Sequence, residues 1–377
     1  MNLYLCIVMS NSDFQWLTYG AKVHATTVTQ LLRHAFEVMH SLSGDERPTP
    51  ICIWGLHGIG KTELVRGLAK ELQAEMVYVA PAQFEEMGDL VGMPRIEGNS
   101  TRFAPPAWVP TKEGPGILLL DDVNRADDRI LRGIMQLLQY YELVSWQLPK
   151  KWLIVLTANP DGGDYSVTPM DDALLNRMLH VTMQFDATEW AKWAEKAGID
   201  DRGINFVLTY PELVNGRRTT PRSLVQFFDQ LRPFDNLSEA LPMVKLLGEA
   251  SLDPETVQAF IQFVHLRLDV LPSPEEILDT PDFDQLTARL QRIIQGEGVQ
   301  RLDMLSVVIT RLIHYLTNQA QEVQEQRLAQ LARFILLDFI PNDLRLSMAQ
   351  ALTSSGQPGL LKLYAIPEIG QLLLKKM

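Results

Sequence analysis

This chain of 377 residues has few cysteines, no excess of positive charge and no long apolar runs. Cys6 and Cys52 are its two cysteines, and Cys52 lies within an apolar run, so the sequence predicts no disulfide and a reducing compartment. No run reaches the roughly 18 apolar residues of a membrane helix. The apolar segment 3–9 lacks the basic flank and cleavage site of a signal peptide, so it is predicted to be a β-strand, and the protein to be cytoplasmic.

The charge balance is acidic. Lys and Arg number 34 and Asp and Glu 46, giving a net charge of −12. No global basic field draws such a chain to nucleic acid or to an anionic membrane, although a local basic pore is compatible with this charge. The hydrophobic fraction of 46% is that of an ordinary globular protein. The histidines show no metal-ligand spacing, which argues against a zinc site.

What the sequence does contain is a phosphate-binding loop motif. Residues 55–62 read Gly-Leu-His-Gly-Ile-Gly-Lys-Thr and fit the pattern G-x-x-x-x-G-K-[ST]. An apolar run precedes them and helix-spaced apolar residues follow, so the loop is predicted to join a buried strand to a helix. In that setting backbone N–H groups face phosphates, Lys61 reaches the β- and γ-phosphates, and Thr62 ligates Mg²⁺. The predicted ligands are a nucleoside triphosphate and Mg²⁺, and the predicted binding residues are Gly55, Leu56, His57, Gly58, Ile59, Gly60, Lys61, Thr62 and Glu63.

Five apolar runs indicate the fold class. They are residues 51–54, 76–79, 117–120, 152–156 and 179–183. Near-continuous apolar strands are typical of a parallel sheet that is covered on both faces. The sequence therefore predicts an α/β nucleotide-binding domain with a five-stranded parallel sheet.

The apolar spacing divides the chain into further regions. Beyond about residue 188 it becomes helical, with one stripe at Leu302, Leu305, Ile309, Leu312 and Leu316 and another at Leu328, Leu331, Ala332 and Ile335. The predicted regions are an N-terminal segment at 1–24, the α/β domain at 25–187, a helical lid at 188–235 and a helical C-terminal region at 236–377.

Polar residues follow two of the predicted strands. One apolar run ends in Asp121-Asp122, and the next is followed by Thr157-Ala158-Asn159. Parallel strands bring their carboxyl ends to one sheet edge, where the phosphate loop also lies. Asp121 is therefore predicted to hold Mg²⁺ with Thr62, Asp122 to polarise the attacking water, and Asn159 to orient that water.

Together these motifs resemble those of the AAA+ ATPases and, within them, of the MoxR branch. The resemblance covers roughly residues 25–230. Its most MoxR-like element is Asn124-Arg125-Ala126, and residues 89–92 look like the segment ahead of that family's helix-2 insert. The other matching positions are the loop 55–62, Asp121, Asp122, Asn159 as sensor 1, Arg177 in Leu174-Leu175-Asn176-Arg177, and Thr220-Pro221-Arg222 as sensor 2.

The resemblance implies Mg²⁺-dependent ATP hydrolysis in a homo-oligomer, with a hexameric ring as the expected form. Arg177 would reach the γ-phosphate bound in a neighbouring subunit, Arg222 would sense the nucleotide in its own subunit, and Arg125 is a further candidate for acting across the interface. The implied catalytic residues are Lys61, Asp122, Asn159, Arg177 and Arg222, and the implied Mg²⁺ ligands are Thr62 and Asp121.

Two positions depart from the family pattern. Asp122 stands where the family usually has Glu, so its carboxylate lies about one methylene further back. This bears on the rate of hydrolysis and not on nucleotide binding, because Lys61, Thr62 and Asp121 are intact. His57 stands where such loops often have Pro, and its simpler interpretation is a loop-surface histidine.

Two alternatives stay open. The loop followed by Leu-Leu-Leu-Asp-Asp-Val also resembles the STAND switch ATPases of the NB-ARC kind, which hold nucleotide tightly and recruit partners. The Thr-Ala-Asn after the strand and the absence of a Gly-x-Pro lid signature favour AAA+ instead. A clamp loader or helicase motor on DNA would suit the helical C-terminal region, but the acidic charge counts against it.

The function predicted on these grounds is the remodelling or activation of a partner protein by an ATP-hydrolysing ring. The resemblance points to a client with a von Willebrand factor A domain. The helical region after about residue 235 is the candidate for client docking or assembly, with an ordinary helical core as the simpler interpretation. No membrane or nucleic-acid partner is expected.

Overall fold

The computed structural model describes residues 19–160, 167–265, 271–295, 301–318 and 323–374. The predicted strand at 3–9 and Cys6 lie outside these residues. The chain divides into two compact units, residues 1–185 and 186–377, and each is described by itself.

The first unit is an α/β unit. Its helices are α1 (Ala25–Ser41), α2 (Lys61–Glu71), α3 (Met87–Val91), α4 (Asp128–Tyr140) and α5 (Asp172–Leu175). Its strands are β1 (Ala21–Val23), β2 (Ile51–Trp54), β3 (Glu75–Val79), β4 (Met93–Glu97), β5 (Ser100–Ala104), β6 (Gly116–Leu120), β7 (Glu142–Leu143), β8 (Trp146–Gln147), β9 (Trp152–Ala158) and β10 (Leu179–Met183).

Six of these strands form one sheet in the order β1-β10-β2-β9-β6-β3. Every neighbouring pair in it is parallel. The predicted parallel sheet is confirmed, and β2 and β10 have the predicted bounds. The remaining predicted strands, β3, β6 and β9, extend one or two residues beyond the apolar runs.

The sixth strand, β1, was not predicted as part of the sheet. It pairs with β10 through Ala21↔Val181, Lys22↔Thr182 and Val23↔Met183. Three residues with a lysine at the centre make no apolar run, whereas β3, the edge strand at the other side of the sheet, was predicted because residues 76–79 are apolar. The pattern that identifies the interior strands is therefore absent at this edge.

Successive side chains of the interior strands supply two cores, one on each face of the sheet. On β6, Leu118 and Leu120 join the core that includes Ile134 of α4. Ile117 and Leu119 join the opposite core, which is covered by α1 and α2. Both faces are thus buried, as the continuous apolar runs predicted.

Two antiparallel pairs lie outside the main sheet. β4 and β5 form a hairpin between α3 and β6, and its residues are exposed, with Ile96 at 82%. β7 and β8 form a short pair between α4 and β9.

The second unit is helical in its described residues, as predicted for this part of the chain. Its helices are α6 (Ala187–Ala197), α7 (Asp201–Thr209), α8 (Pro221–Leu231), α9 (Leu241–Ser251), α10 (Pro254–His265), α11 (Pro274–Asp279), α12 (Phe283–Gln295), α13 (Leu302–Asn318), α14 (Glu325–Ile335), α15 (Asn342–Thr353), α16 (Pro358–Leu361) and α17 (Pro367–Leu374). None of the helices described has the length and apolarity needed to span a bilayer.

The core of the second unit contains a cluster of aromatic rings. Phe206 packs edge-on against Phe260 and Phe263, with ring centroids 5.0 and 5.5 Å apart. The predicted apolar stripes are buried as well, with one correction: Leu302, at the first turn of α13, is 41% exposed. At the end of a helix a position on the apolar face can extend beyond the neighbours that would cover it.

Candidate nucleotide site

The phosphate loop occupies residues 55–60, between the end of β2 and the start of α2. Gly55 has φ +153°, and a Cβ there would lie 2.8 Å from the carbonyl oxygen of Met183. Gly60 has φ +99° and immediately precedes α2. Side chains are disfavoured at both positions, so glycine is needed for the loop to turn into the helix. The N-terminus of α2 then directs N–H groups and partial positive charge to the sheet edge.

Lys61 is 6% exposed and folds back over the loop. Its Nζ donates to the carbonyl oxygens of Gly55 at 2.6 Å and Leu56 at 3.0 Å. It also donates to Oδ1 of Asn159 at 3.1 Å. The ammonium group is therefore held inside the loop and next to the predicted sensor, where a phosphate would meet it.

Asp121 lies at the end of β6 and collects three hydroxyl donors. Thr62 Oγ1 donates to its Oδ1 at 2.6 Å, and Thr157 Oγ1 donates to the same oxygen at 2.7 Å. Tyr78 Oη donates to Oδ2 at 3.1 Å. Burial, with a further contribution from the Asp121 carboxylate, raises the pKa of Tyr78, so this phenol keeps its proton and remains a donor.

This arrangement fits a magnesium site. Mg²⁺ prefers oxygen ligands and is commonly held by one or two carboxylates together with phosphate oxygens and water. Thr62 Oγ1 and the Asp121 carboxylate supply such oxygens beside the loop. Among the described residues, no group of three His, Cys, Asp or Glu side chains suited to a metal occurs.

Asp122 follows in the left-handed conformation, with φ 48° and ψ 44°. Its N–H donates to Thr157 Oγ1 at 2.8 Å, which fixes the turn after β6. Its Oδ1 accepts from Asn159 Nδ2 at 3.0 Å, and its Oδ2 lies 3.4 Å from Nε of Arg125. The carboxylate is thus engaged from two sides.

Asn159 connects Lys61 of the phosphate loop to Asp122. Its amide accepts from Lys61 and donates to Asp122. Its backbone is fixed by Asn124, which donates to the Asn159 carbonyl at 2.8 Å and accepts from the Asn159 N–H at 3.1 Å. Both asparagines are fully buried. Asn124 was singled out only as part of a motif, and its structural role was missed.

Arg177 follows α5 and is partly exposed. Its Nε and Nη2 donate to Oε1 of Gln139 at 3.1 and 2.9 Å, and its Nη1 donates to the Ala173 carbonyl. These contacts are with the helical side of the unit and not with the loop, Asp122 or Asn159. The structure does not bring Arg177 into the group formed by Lys61, Thr62, Asp121, Asp122 and Asn159.

A hydrogen-bonded histidine connects the loop strand to the segment that carries Arg177. Trp54, the last residue of β2, donates from Nε1 to His180 Nδ1 at 2.9 Å. With Nδ1 accepting, the neutral ring carries its proton on Nε2, which donates to the Leu175 carbonyl at 2.8 Å. Neither Trp54 nor His180 was predicted to matter, because their contact depends on β10 lying beside β2.

Arg222 belongs to the second unit and is exposed. It is the second residue of α8, whose start is built by a capping box between Thr220 and Ser223 with Pro221 at the first helical position. The Thr-Pro-Arg motif is therefore a helix N-terminus. The sensor role of Arg222 stays a prediction.

Comparison with known proteins supports a nucleotide-binding domain of the AAA type. Residues 50–178 match the family model described as AAA domain, dynein-related subfamily. This segment contains the phosphate loop, both acidic residues, Asn159 and Arg177.

A curated relative and two solved structures are also similar to parts of the chain. Midasin of Giardia intestinalis is 24% identical over 139 residues, which are 35% of this chain and 3% of midasin, so the chain spans a very small part of that protein. A Thermotoga maritima RuvB mutant, P216G, is 17% identical with a TM-score of 0.40, covering 75% of this chain and 88% of that one. A closed-state structure of Hsp104 with ATPγS and casein is 16% identical with a TM-score of 0.41, covering 59% and 46%.

The family match is to residues 50–178, and these residues also contain the P-loop and most of the parallel sheet. The MoxR branch stays a prediction.

Proposed function

We propose that this chain is a Mg²⁺-dependent ATPase of the MoxR-like AAA+ kind that works as a homo-oligomer and remodels or activates a partner protein. The observation that carries the proposal is the hydrogen-bonded sequence Lys61–Asn159–Asp122, set beside the Thr62–Asp121 pair. It unites a phosphate-binding cation, a sensor amide and a candidate base at one edge of the sheet.

Each of these side chains suits one part of phosphoryl transfer. The Lys61 ammonium offsets charge on the β- and γ-phosphates. Asp122 accepts a proton from the attacking water, and Asn159 fixes the direction of the Asp122 carboxylate through its Nδ2. Bound Mg²⁺, held by Thr62 and Asp121, would supply further neutralisation of phosphate charge.

The proposal extends to assembly through Arg177. A planar, permanently charged guanidinium on the surface of the nucleotide unit is suited to developing phosphate charge in an adjacent subunit. We propose a hexameric ring in the cytoplasm whose interfaces pair Arg177 of one subunit with the phosphate loop of the next. Arg222 would act within its own subunit. The proposed client is a protein with a von Willebrand factor A domain.

One observation favours a second function, that of a slowly hydrolysing nucleotide switch. The Asp122 side chain is one methylene shorter than the usual Glu, and its carboxylate contacts both Asn159 and Arg125. A base held in this way would activate water slowly, so the protein would keep its bound ATP longer before hydrolysis. A switch of the STAND kind would recruit partners in its ATP-bound state without steady turnover.

A client-capture experiment tests the proposal. Asp122→Asn is expected to bind ATP and retain the client, whereas Lys61→Ala, which differs in ATP binding, is expected to lose it. Proteins recovered with the first variant and not with the second are clients, and one with a von Willebrand factor A domain supports the full proposal. If neither variant differs from the parent in what it retains, and the parent turns over no ATP at any protein concentration, the remodelling function is wrong.

A further inference from the structure

The second unit contains a cavity that has no part in the nucleotide site. Its volume is about 440 Å³, and it lies among α6, α7, α11 and α13. Most of its polar lining is charged, and we call it the acidic pocket. The polar lining residues are Glu195, Lys196, Asp201, Glu275, Arg311 and Tyr315.

Arg311 is the buried cation of the acidic pocket, with its side chain 1% exposed. Its Nη2 donates to Asp201 Oδ1 at 2.5 Å, and its Nη1 donates to Asn205 Oδ1 at 3.0 Å. Two of the three guanidinium nitrogens are thus committed to α7. The third, Nε, has no hydrogen-bond acceptor among the described residues.

Glu195 lies opposite, with its side chain 10% exposed. Neither of its carboxylate oxygens accepts a hydrogen bond in the described part of the chain. The nearest cationic atom is Arg311 Nε at 3.6 Å, which gives an ion pair but is too long for a hydrogen bond. Buried polar atoms are nearly always hydrogen-bonded, so a buried glutamate that lines a cavity and has no donor on either carboxylate oxygen points to a donor from elsewhere.

The charges around Glu195 decide what kind of donor fits. α6 contributes Glu195 and Lys196, α7 contributes Asp201, α11 contributes Glu275, and α13 contributes Arg311 and Tyr315. Three acids face two bases, so the acidic pocket has an excess of negative charge when all of them are ionised. Burial raises the pKa of Glu195 to about 7, and Asp201 and Glu275 add to the rise while Arg311 opposes it. A cation bound beside Glu195 would favour the ionised carboxylate and offset the cost of burying its charge.

We propose that the acidic pocket binds an organic cation with N–H donors, a guanidinium or primary ammonium group, and that Glu195 is its main acceptor. An anion is disfavoured by the excess of carboxylates. The phenol of Tyr315 and the apolar side chains of Ile199 and Pro274 offer a wall for an alkyl stem. The cation has two possible sources, a free amine or guanidine and the basic side chain of a partner protein.

The proposal is tested by calorimetric titration of the whole protein with butylguanidine, and with a capped tripeptide that has arginine at its centre. Both present the same head group. Tighter binding of butylguanidine identifies a free small molecule as the source, and tighter binding of the peptide identifies a protein side chain. If neither binds at millimolar concentration, the proposal is overturned.

The pH dependence tests Glu195 itself. With a pKa of about 7, the carboxylate fraction rises from about a tenth at pH 6 to about nine tenths at pH 8, so affinity is expected to rise about tenfold across this range. On the unaltered protein at pH 7, binding is expected to release about half a proton, which titrations in two buffers of different ionisation enthalpy measure. Binding without proton release would show that Glu195 is not the acceptor of the cation.

Matched variants distinguish binding in the acidic pocket from a general effect of the protein's net negative charge. Glu195→Gln is expected to weaken binding at least about tenfold at pH 8 and to abolish its pH dependence, because the neutral amide does not titrate. Glu275→Gln should weaken binding and shift the pH dependence to lower pH without abolishing it, because the Glu275 carboxylate adds to the rise in the pKa of Glu195. Glu255→Gln, on an exposed position of α10, removes the same charge outside the acidic pocket and should bind like the parent. An equal loss in Glu255→Gln and Glu195→Gln would overturn the site.

Discussion

Thr62 Oγ1 donates to Asp121 Oδ1 at 2.6 Å, although the two residues are 59 positions apart in the chain. The contact follows from the strand order, in which β2 and β6 flank β9. All three strands run in the same direction and end at the same edge. The loop after β2, the acids after β6 and Asn159 after β9 therefore meet there.

Lys61→Ala tests nucleotide binding. The buried ammonium is held by two loop carbonyls and Asn159, and its loss removes the cation that faces the phosphates. ATP affinity is expected to fall below detection in calorimetric titration while the fold is retained. Lys70→Ala, an exposed lysine on the same helix, is the matched control and should bind like the parent. Parental affinity in a folded Lys61→Ala would remove the phosphate-loop assignment.

Asp122→Asn tests the base. Asparagine tolerates the left-handed conformation of this residue, so the fold and ATP binding are expected to persist. Turnover should be slower by at least about a hundredfold, the range for a lost general base. Steady-state phosphate release measures it, with ATP binding measured in parallel.

Asp122→Glu is the complementary change. The extra methylene gives the side chain the length of the Glu that AAA+ ATPases usually have at this position, so turnover should be equal to or higher than that of the parent. A parent protein without steady-state hydrolysis at any concentration would instead favour the nucleotide switch.

Arg177→Ala tests action between subunits. Arg177 makes its described contacts with Gln139 and Ala173, away from Lys61 and Asp122. The variant is expected to keep ATP affinity as a single subunit and lose hydrolysis in the assembly, and the parent's activity should rise more steeply than linearly with concentration.

Mixing sharpens this test. Arg177→Ala and Lys61→Ala should each be inactive alone, but a mixed ring contains interfaces that pair an intact loop with an intact Arg177. Partial recovery of hydrolysis is expected. Mixed rings seen by native mass spectrometry without recovered activity would show that Arg177 does not act across the interface.

Glu195→Gln tests the pH dependence of stability. The folded-state pKa of Glu195 is raised from 4.5 to about 7, chiefly by burial, so the folded chain binds this proton more tightly than the unfolded chain. The stability from that proton is present below pH 4.5 and is lost as pH rises towards 7. The free energy of unfolding should therefore fall less steeply over this window in Glu195→Gln. Urea denaturation at several pH values measures it, and an unchanged slope would contradict the shift.

The sequence was sufficient to predict those parts of the site whose residues are close together in the chain. The strand–loop–helix at residues 51–71 combines an apolar run, obligatory glycines and a helical spacing, and each has a local physical cause. The interior strands were visible because both their faces are buried, and the edge strand β3 was visible because four of its five residues are apolar. The edge strand β1 was not, because its three residues include the exposed Lys22.

Contacts that depend on strand neighbours or helix packing could not be predicted in this way. Asn124 and Asn159 exchange two hydrogen bonds only because the segments after β6 and β9 lie side by side. Arg311 on a helix would ordinarily be a surface charge, and its burial against Asp201 and Asn205 is decided by how α13 packs on α7. The pairing of Trp54 with His180 likewise needs the strand order.

Cys52 gives the protein an internal chemical reporter. It is fully buried in β2, between β10 and β9, and burial raises the pKa of its thiol. Because the thiolate is the reactive species, a maleimide or disulfide reagent should label Cys52 only when the sheet opens beside the phosphate loop. In a Cys6→Ser background, the rate of labelling would follow local opening at the centre of the nucleotide unit without any added probe.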